Sequence, residues 1–260
     1  MAQRSAVVNV IAGAVVKVAR GLNRDFGEIE SLQSSPKGPS KFATAALSRA
    51  EDGLLRELTR VRRGHRVIRG DMALGDVGEP AWLLAPVAGL RNFGRGLPWF
   101  ASVVGLREEG RIVAGAIYDP LRDILHWAEY GIGAYANHQR MRVSAHGVVA
   151  EALVALAPPS GDTAVHAAWL STLAAKGALT RQTGCSALDL AAVSCGRFDG
   201  FWGAGVAPVV AAVSGLIVRE AGGLVEAVSP ATGAMVAGNG FIGRDLAAIL
   251  SQVTRPPATP

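Results

Sequence analysis

Charge, sulfur and aromatic rings are all scarce in this chain. Charged residues make up 18% of its 260 residues, below the roughly one quarter usual for soluble domains. Half of the residues are hydrophobic, so the composition is that of a globular chain with a sizeable core and excludes a disordered one. Two cysteines, Cys185 and Cys195, are too few for a disulfide framework. Both fall in an apolar helical segment and read as free buried thiols. No His or Cys stands beside them at ligand spacing, so no metal site is expected there. There is no G-x-S-x-G, P-loop or zinc pattern. The five histidines lie apart and none belongs to a nucleophile motif; His65 and His126 read as surface or strand residues.

Long hydrophobic runs are missing too. "AVVNVIAGAVVKVA" is interrupted by Asn9 and Lys17 and reads as too short to span a bilayer. Val7, Val8, Ile11, Val15 and Val18 recur at helical spacing, which favours an amphipathic core helix over a signal peptide. The expectation is a soluble, cytoplasmic protein with no membrane partner. Net charge is +5, yet Arg is scattered. The densest patch, "RVRRGHRVIR" from Arg60 to Arg69, comes with no recognition motif, so a solvated face is expected and specific nucleic-acid binding is not.

What is present is punctuated secondary structure. A helix is expected to about Phe26, then a loop at "SSPKGPSK". A second helix follows over Phe42–Arg62, with Ala45, Ala46, Leu47, Leu54, Leu55 and Leu58 inward. Strands dominate next. "REEG" joins Ala101–Leu106 to Arg111–Tyr118 as a hairpin, and "DPLRD" leads to Ile124–Ala128, with Asp119 and Asp123 as turn residues. This is an antiparallel meander. After about Ser144 helices and strands alternate: "EALVALAPP" and "LVEAV" as strands, "DGFWGAG" as strand or turn. "DTAVHAAWLSTLAAKGA", "ALDLAAVSCGRF", "PVVAAVSGLIVREAGG" and "RDLAAILSQV" are helices, the third ended by Gly222–Gly223. An α+β half (1–144) and an α/β half (145–260) are expected to form one compact unit.

"WLLAPVAGLRNFGRGLPWF", Trp82 to Phe100, has the layout of an active-site turn: a buried apolar run, a Pro-Gly turn and a Gly-rich segment. Between Trp82 and Leu90 it carries no acid, base, nucleophile or metal ligand.

Five segments, in order, resemble the inositol monophosphatase family: "KGPSKFATAALSRAE", "APVAGLRNFGRGLPWFASVVGL", "GAIYDPLRDILHWAEYGIGAYAN", "GCSALDLAAVSCGRFDGFW" and "PVVAAVSGLIVREAGG". The resemblance spans nearly the whole chain. It implies a layered αβαβα sandwich, an antiparallel sheet half followed by an α/β half. It also implies magnesium-dependent hydrolysis of a small phosphomonoester, by a homodimer.

That chemistry needs several carboxylates converging on magnesium. At the matching positions stand Gly70, with Asp71 after it, Ala85, Ala88 and Val210. Leu90 stands for the family's threonine and Val209 for its tryptophan. Lys41 and Leu47 occupy two acidic positions of the early segment, and Gly203 that of a substrate-contacting glutamate. The Val87 carbonyl and Lys37 match retained groups. Neither magnesium nor another cofactor is therefore expected. Acids at positions 41, 47, 70, 85, 88, 203 and 210 would move the net charge from +5 to about −3, an ordinary value. The scaffold residues Pro86, Gly89, Asn92, Phe93, Gly131, Gly133, Gly184, Gly222 and Gly223 match the family.

Three readings follow. The first is an inactive pseudophosphatase that binds a ligand or regulates an active relative. The second is an active phosphomonoesterase with a rebuilt metal site, drawing on Asp71, Asp76 and Glu79. The third is a metal-free anion binder at Gly89, Leu90 and Arg91, which open a helix. Asp189 and Asp199 read as structural.

Overall fold

A computed structural model describes residues 4–33, 38–75, 78–157, 163–229 and 234–253. Two helices begin it, α1 (Ala6–Leu32) and α2 (Gly38–Val61). α1 runs six residues past the expected end at Phe26 because Ile29 continues its buried stripe. α2 starts four residues earlier than Phe42, where Gly38–Pro39 opens it; proline suits a first turn, whose N–H groups have no helical acceptor. Its core face is Ala43, Ala46, Ala50, Leu54 and Leu58. Ala45, expected inward, is exposed, because the i, i+3, i+4 stripe passes one residue to its side.

Seven strands follow in one sheet ordered as in sequence: β1 (Arg66–Arg69), β2 (Ala81–Ala88), β3 (Ala101–Glu108), β4 (Arg111–Asp119), β5 (Ile124–Glu129), β6 (Gly133–Ala136) and β7 (Gln139–Arg140). Between β2 and β3 lies the short helix α3 (Leu90–Gly94). The sheet is antiparallel except at its first edge, where β1 pairs parallel with β2, a departure from the pure meander expected. The β3–β4 turn is the two residues Glu109–Gly110, both with positive φ (49° and 76°). That is the primed geometry matching strand twist, and it favours glycine. Asp119 ends β4 as an Asx turn, accepting from the Leu121 and Arg122 N–H groups, each at 3.2 Å.

The second sheet holds β8 (Leu153–Ala157), β9 (Leu179–Arg181), β10 (Gly200–Gly203), β11 (Leu224–Ser229) and β12 (Ala234–Gly238), in the order β11-β12-β10-β8-β9. Its helices are α4 (Thr163–Ala175), α5 (Ser186–Ser194), α6 (Pro208–Glu220) and α7 (Ile242–Val253). β9 and β12 were not expected; each is too short, or too generic in its pattern, to stand out before its pairing partner is known.

Burial sorts these elements into layers. α1 and α2 cover one face of the first sheet, Val8, Ile11, Val15, Leu54 and Leu58 packing with Trp82, Val104, Ala116 and Trp127. α5 and α6 fill the space between the sheets: Leu190, Val193, Val213 and Ile217 cluster with Leu83, Val103 and Ile117 on one side and Phe201 and Ala237 on the other. α4 and α7 cover the outer face of the second sheet through Trp169, Leu173, Ile242 and Leu246. The result is a helix–sheet–helix–sheet–helix sandwich, the layered αβαβα fold expected. α1 is long and apolar enough to cross a membrane by length and composition, so the expectation that its run is too short does not hold. Its apolar stripe, however, is packed on the first sheet, as a core helix's is.

Candidate active site

The turn after β2 is held by backbone geometry. Seven of the eight β2 residues are buried. The ladder with β3 slips between Ala85 and Ala88, where Pro86 has no N–H to give. The freed Pro86 carbonyl accepts from Ser102 Oγ at 2.7 Å. Gly89 then takes φ 84°, ψ 34°, a left-handed conformation that costs glycine little. A Cβ there would lie 3.0 Å from the Trp99 carbonyl oxygen and 3.1 Å from Cys185 Cβ. α3 begins at the next residue. Its Asn92 donates from one amide nitrogen to the carbonyls of Trp99 and Thr183, both at 2.8 Å, tying the turn to the chain that enters α5.

Four further pieces wall the cleft at this turn. Leu47 comes from α2; Gly70 and Asp71 follow β1. Gly184, Ser186 and Ala187 come from the entry to α5, and Gly205, Val206, Ala207 and Val210 from the entry to α6. Gly70 is docked twice, its N–H donating to the Leu84 carbonyl at 2.7 Å and its carbonyl accepting from Val209 N–H at 3.4 Å. The cleft encloses about 370 Å³, room for a small polyol or its phosphate. Residues far apart in sequence and singled out for the same reason (Leu47, Gly70, Asp71, Ala85, Val87, Ala88, Leu90 and Val210) therefore meet in one cavity.

Its electrostatics are sparse. Asp71 is exposed; among the described residues it is the one carboxylate lining the cleft, and no lysine, arginine or histidine among them lines it. Cys185 lies behind the wall with its thiol donating to the Ala88 carbonyl at 3.4 Å, and burial pushes that thiol up to about 12. One turn into α5, Asp189 accepts from Thr183 Oγ1 at 2.6 Å. Burial raises its carboxyl to about 7, against the hydrogen bond from Thr183, which lowers it. Sequence reasoning assigned Asp189 a structural place but missed this shift, because the burial that causes it comes from elements distant in sequence.

Magnesium, which the resemblance implies, is a hard cation wanting near-octahedral oxygen ligands, several of them carboxylates when two or more ions share a site. Among the described residues the donor set here is one exposed carboxylate, one serine and backbone carbonyls among glycine and aliphatic side chains. These residues do not fit such a centre.

Several expected positions fall elsewhere. Arg91 is exposed and lines a separate recess with Gln33, Pro39 and Arg95, so of the expected anion contacts Gly89 and Leu90 reach the cleft and Arg91 does not. α3 is barely one turn long, and its second residue already points away. Gly203 is walled in: a Cβ there would meet Phe201 Cζ and Val206 Cγ2, each at 2.7 Å. Gly205 lines the cleft in its place. Val209 is buried in the core between the sheets, and Lys41 is exposed outside the cleft lining. Glu79 pairs with Arg66 at 3.2 Å rather than turning to the cleft. His65 sits beside Glu108 at 3.4 Å and His126 within β5. Asp199 accepts from the Leu153 N–H at 2.8 Å. Lys37 and Asp76 lie outside the described residues.

Comparison with known proteins adds a second line of observation. The family model of the inositol monophosphatase family matches residues 3–255. A protein of Mesorhizobium japonicum named inositol-1-monophosphatase is 36% identical over 263 residues, covering 97% of this chain and 98% of that one. Among solved structures, the extragenic suppressor protein suhB of Bartonella henselae superimposes with a TM-score of 0.84 at 33% identity, over 95% of this chain and 99% of that one. The inositol monophosphatase of Anabaena does so with a TM-score of 0.80 at 28% identity, over 96% of each.

Proposed function

The chain belongs to the inositol monophosphatase family, and from that premise we propose that it keeps the family's cleft as architecture without its hydrolytic load. On this reading it is a pseudophosphatase that holds a small polyol or polyol phosphate, or regulates an active relative. The observation that supports it is the lining of the cleft, where Asp71 is the single carboxylate among the described residues. Clustered carboxylates repel once their cation is gone, and small apolar replacements of buried charges are often neutral or stabilising. Gly70, Ala85, Ala88 and Val210 are replacements of that kind. A homodimer in the cytoplasm, with neither membrane nor specific nucleic acid as partner, belongs to the same proposal.

The names of the relatives favour a second reading, an active phosphomonoesterase acting on an inositol phosphate or a similar small sugar phosphate. The proteins of Mesorhizobium japonicum, Rhizobium meliloti and Caulobacter vibrioides, 36 to 37% identical to this chain, are all named inositol-1-monophosphatase. Under this reading Asp71, with backbone carbonyls of the β2 turn, belongs to a rebuilt site.

Phosphate release from an inositol monophosphate, with magnesium titrated to tens of millimolar, separates the two. A quadruple variant, Gly70→Glu, Ala85→Asp, Ala88→Asp and Val210→Asp, runs beside the natural protein. We expect a silent natural protein and a variant at least about tenfold above background, equivalent to about 1.4 kcal/mol of barrier. Magnesium-dependent turnover by the natural protein overturns the proposal and makes Asp71 the first residue to replace. Calorimetry with inositol monophosphate and with inorganic phosphate tests the binding half. Silence at millimolar ligand leaves only the regulatory role.

A further inference from the structure

At the far end of α5 from the cleft, the Cys195 thiol lies against one thioether and one imidazole. Cys195 follows the last turn of α5, its N–H still bonded to the Ala191 carbonyl at 3.1 Å. Its thiol donates to Met141 Sδ at 3.1 Å and lies 3.7 Å from His126 Nδ1. His126 is a central residue of β5, paired with Ile117 on one side and Ala136 on the other. Met141 directly follows β7, its N–H bonded to the Ala134 carbonyl at 2.8 Å. Each donor thus sits on backbone fixed by its own ladder or helix, which is how a site is preorganised. His126 and Met141 are 5% and 3% exposed, while Cys195 is only half-buried and gives a path in from solvent.

We propose that Cys195, His126 and Met141 form a three-coordinate site for a soft monovalent cation, copper(I). On the scale of zinc bonds, about 2.3 Å to sulfur and 2.0–2.1 Å to an imidazole nitrogen, the two donors of a first-row ion stand roughly 3.6 to 3.8 Å apart, as Cys195 and His126 already do. Two sulfurs on one ion stand roughly 3.8 to 4.0 Å apart by the same bond lengths. Met141 Sδ must therefore retreat by under about 1 Å, which its three rotatable bonds supply.

The donor types select the ion. Thiolate and thioether sulfur favour copper(I), whereas zinc takes four ligands from thiolate, imidazole and carboxylate and leaves thioethers aside. Among the described residues no group of three or more His, Cys, Asp or Glu gathers here or elsewhere, so a fourth hard or borderline ligand is not at hand. The His126 imidazole binds in its neutral form, as a ligand must. The nearby charges are Arg197 and Asp119. Burial raises the Cys195 thiol, with Arg197 lowering it in part, so copper(I) must displace that proton. Binding exchanges one proton for the metal: the Cys195 thiol and copper(I) give a copper thiolate and a proton released to solvent, with no change of oxidation state. The three residues are separated by 15 and 54 positions, so no ligand spacing exists to be read in the sequence.

The test is an anaerobic titration of the reduced, full-length protein with copper(I) against a chromophoric copper(I) chelator. The natural protein and Cys185→Ala are expected to withhold one equivalent, Cys195→Ala none, and Met141→Leu to bind at least tenfold more weakly. Met141→Leu conserves volume, so it still decides the matter if Cys195→Ala folds poorly. Failure of the natural protein to withhold copper overturns the site. So does undiminished binding by Cys195→Ala or Met141→Leu, or zinc binding at the same position with equal strength.

Discussion

Asp189 shows how one buried carboxyl ties stability to pH. Its folded-state value is about 7, against an ordinary 3.8, and burial is the main cause. A carboxyl whose folded value is raised contributes stability that is fully present below its unfolded value and is lost as pH rises through the folded one. The window is therefore about pH 4 to 7. Across it the loss is at most roughly 4 kcal/mol, at about 1.4 kcal/mol per unit. Asp189→Asn keeps an acceptor for Thr183 and should flatten this slope, so the variant gains on the natural protein in urea melts as pH rises from 4 to 7. His126, lowered to about 4, works in the opposite sense, costing stability as pH falls from 6.5 to 4. For that reason the difference between variant and natural protein, and not either curve alone, is the quantity to read. Neither shift was legible in the sequence. Asp189 and His126 were recognisable as helix and strand residues, but the burial that moves them depends on layers assembled from distant segments.

At the scale of elements, the turn after β2 depends on Asn92. Its side chain ties the Trp99 carbonyl to the Thr183 carbonyl at the entry to α5. Asn92→Ala removes two hydrogen bonds and leaves the Trp99 and Thr183 carbonyls without that donor. A loss of about 1–3 kcal/mol is expected, seen as a lower urea midpoint with an unchanged denaturant slope. Gly184→Ala should act on the same joint, since φ is +80° there and a Cβ would sit 3.0 Å from Asn92 Oδ1. Turns of this kind were legible because their demands are local: glycine where φ is positive, proline where a ladder slips, Asp119 where a turn needs an acceptor. Parallel pairing of β1 with β2 and the strands β9 and β12 were not, since pairing is chosen by partners far along the chain. Arg91 and Gly203 failed for a related reason. Their sequence neighbours are those of a site, but Arg91 lies on the side of α3 that lines a separate recess, and Gly203 has Phe201 and Val206 where its side chain would go.

On the scale of the whole molecule, α5 and α6 are mostly buried, with Arg219 exposed near the end of α6 and Ser186, Ala187 and Val210 open to the cleft. Both sheets use them as core, so neither sheet retains its packing if the other unfolds. Thermal unfolding followed by tryptophan fluorescence and by far-ultraviolet circular dichroism should give coincident, single transitions. Two separated transitions would mean that the sheets melt independently. The outer layer has a different consequence, one for synthesis. α1 leaves the ribosome with a segment, Ala6–Ile29, apolar enough to pass for a membrane span. The sheet residues that cover its stripe reach from Trp82 to Tyr135. About a hundred residues must be translated before the last of them emerges, several seconds at ordinary elongation rates of 5–20 residues per second. During that interval the nascent chain presents to chaperones and targeting factors an oily helix with no sheet to lie on.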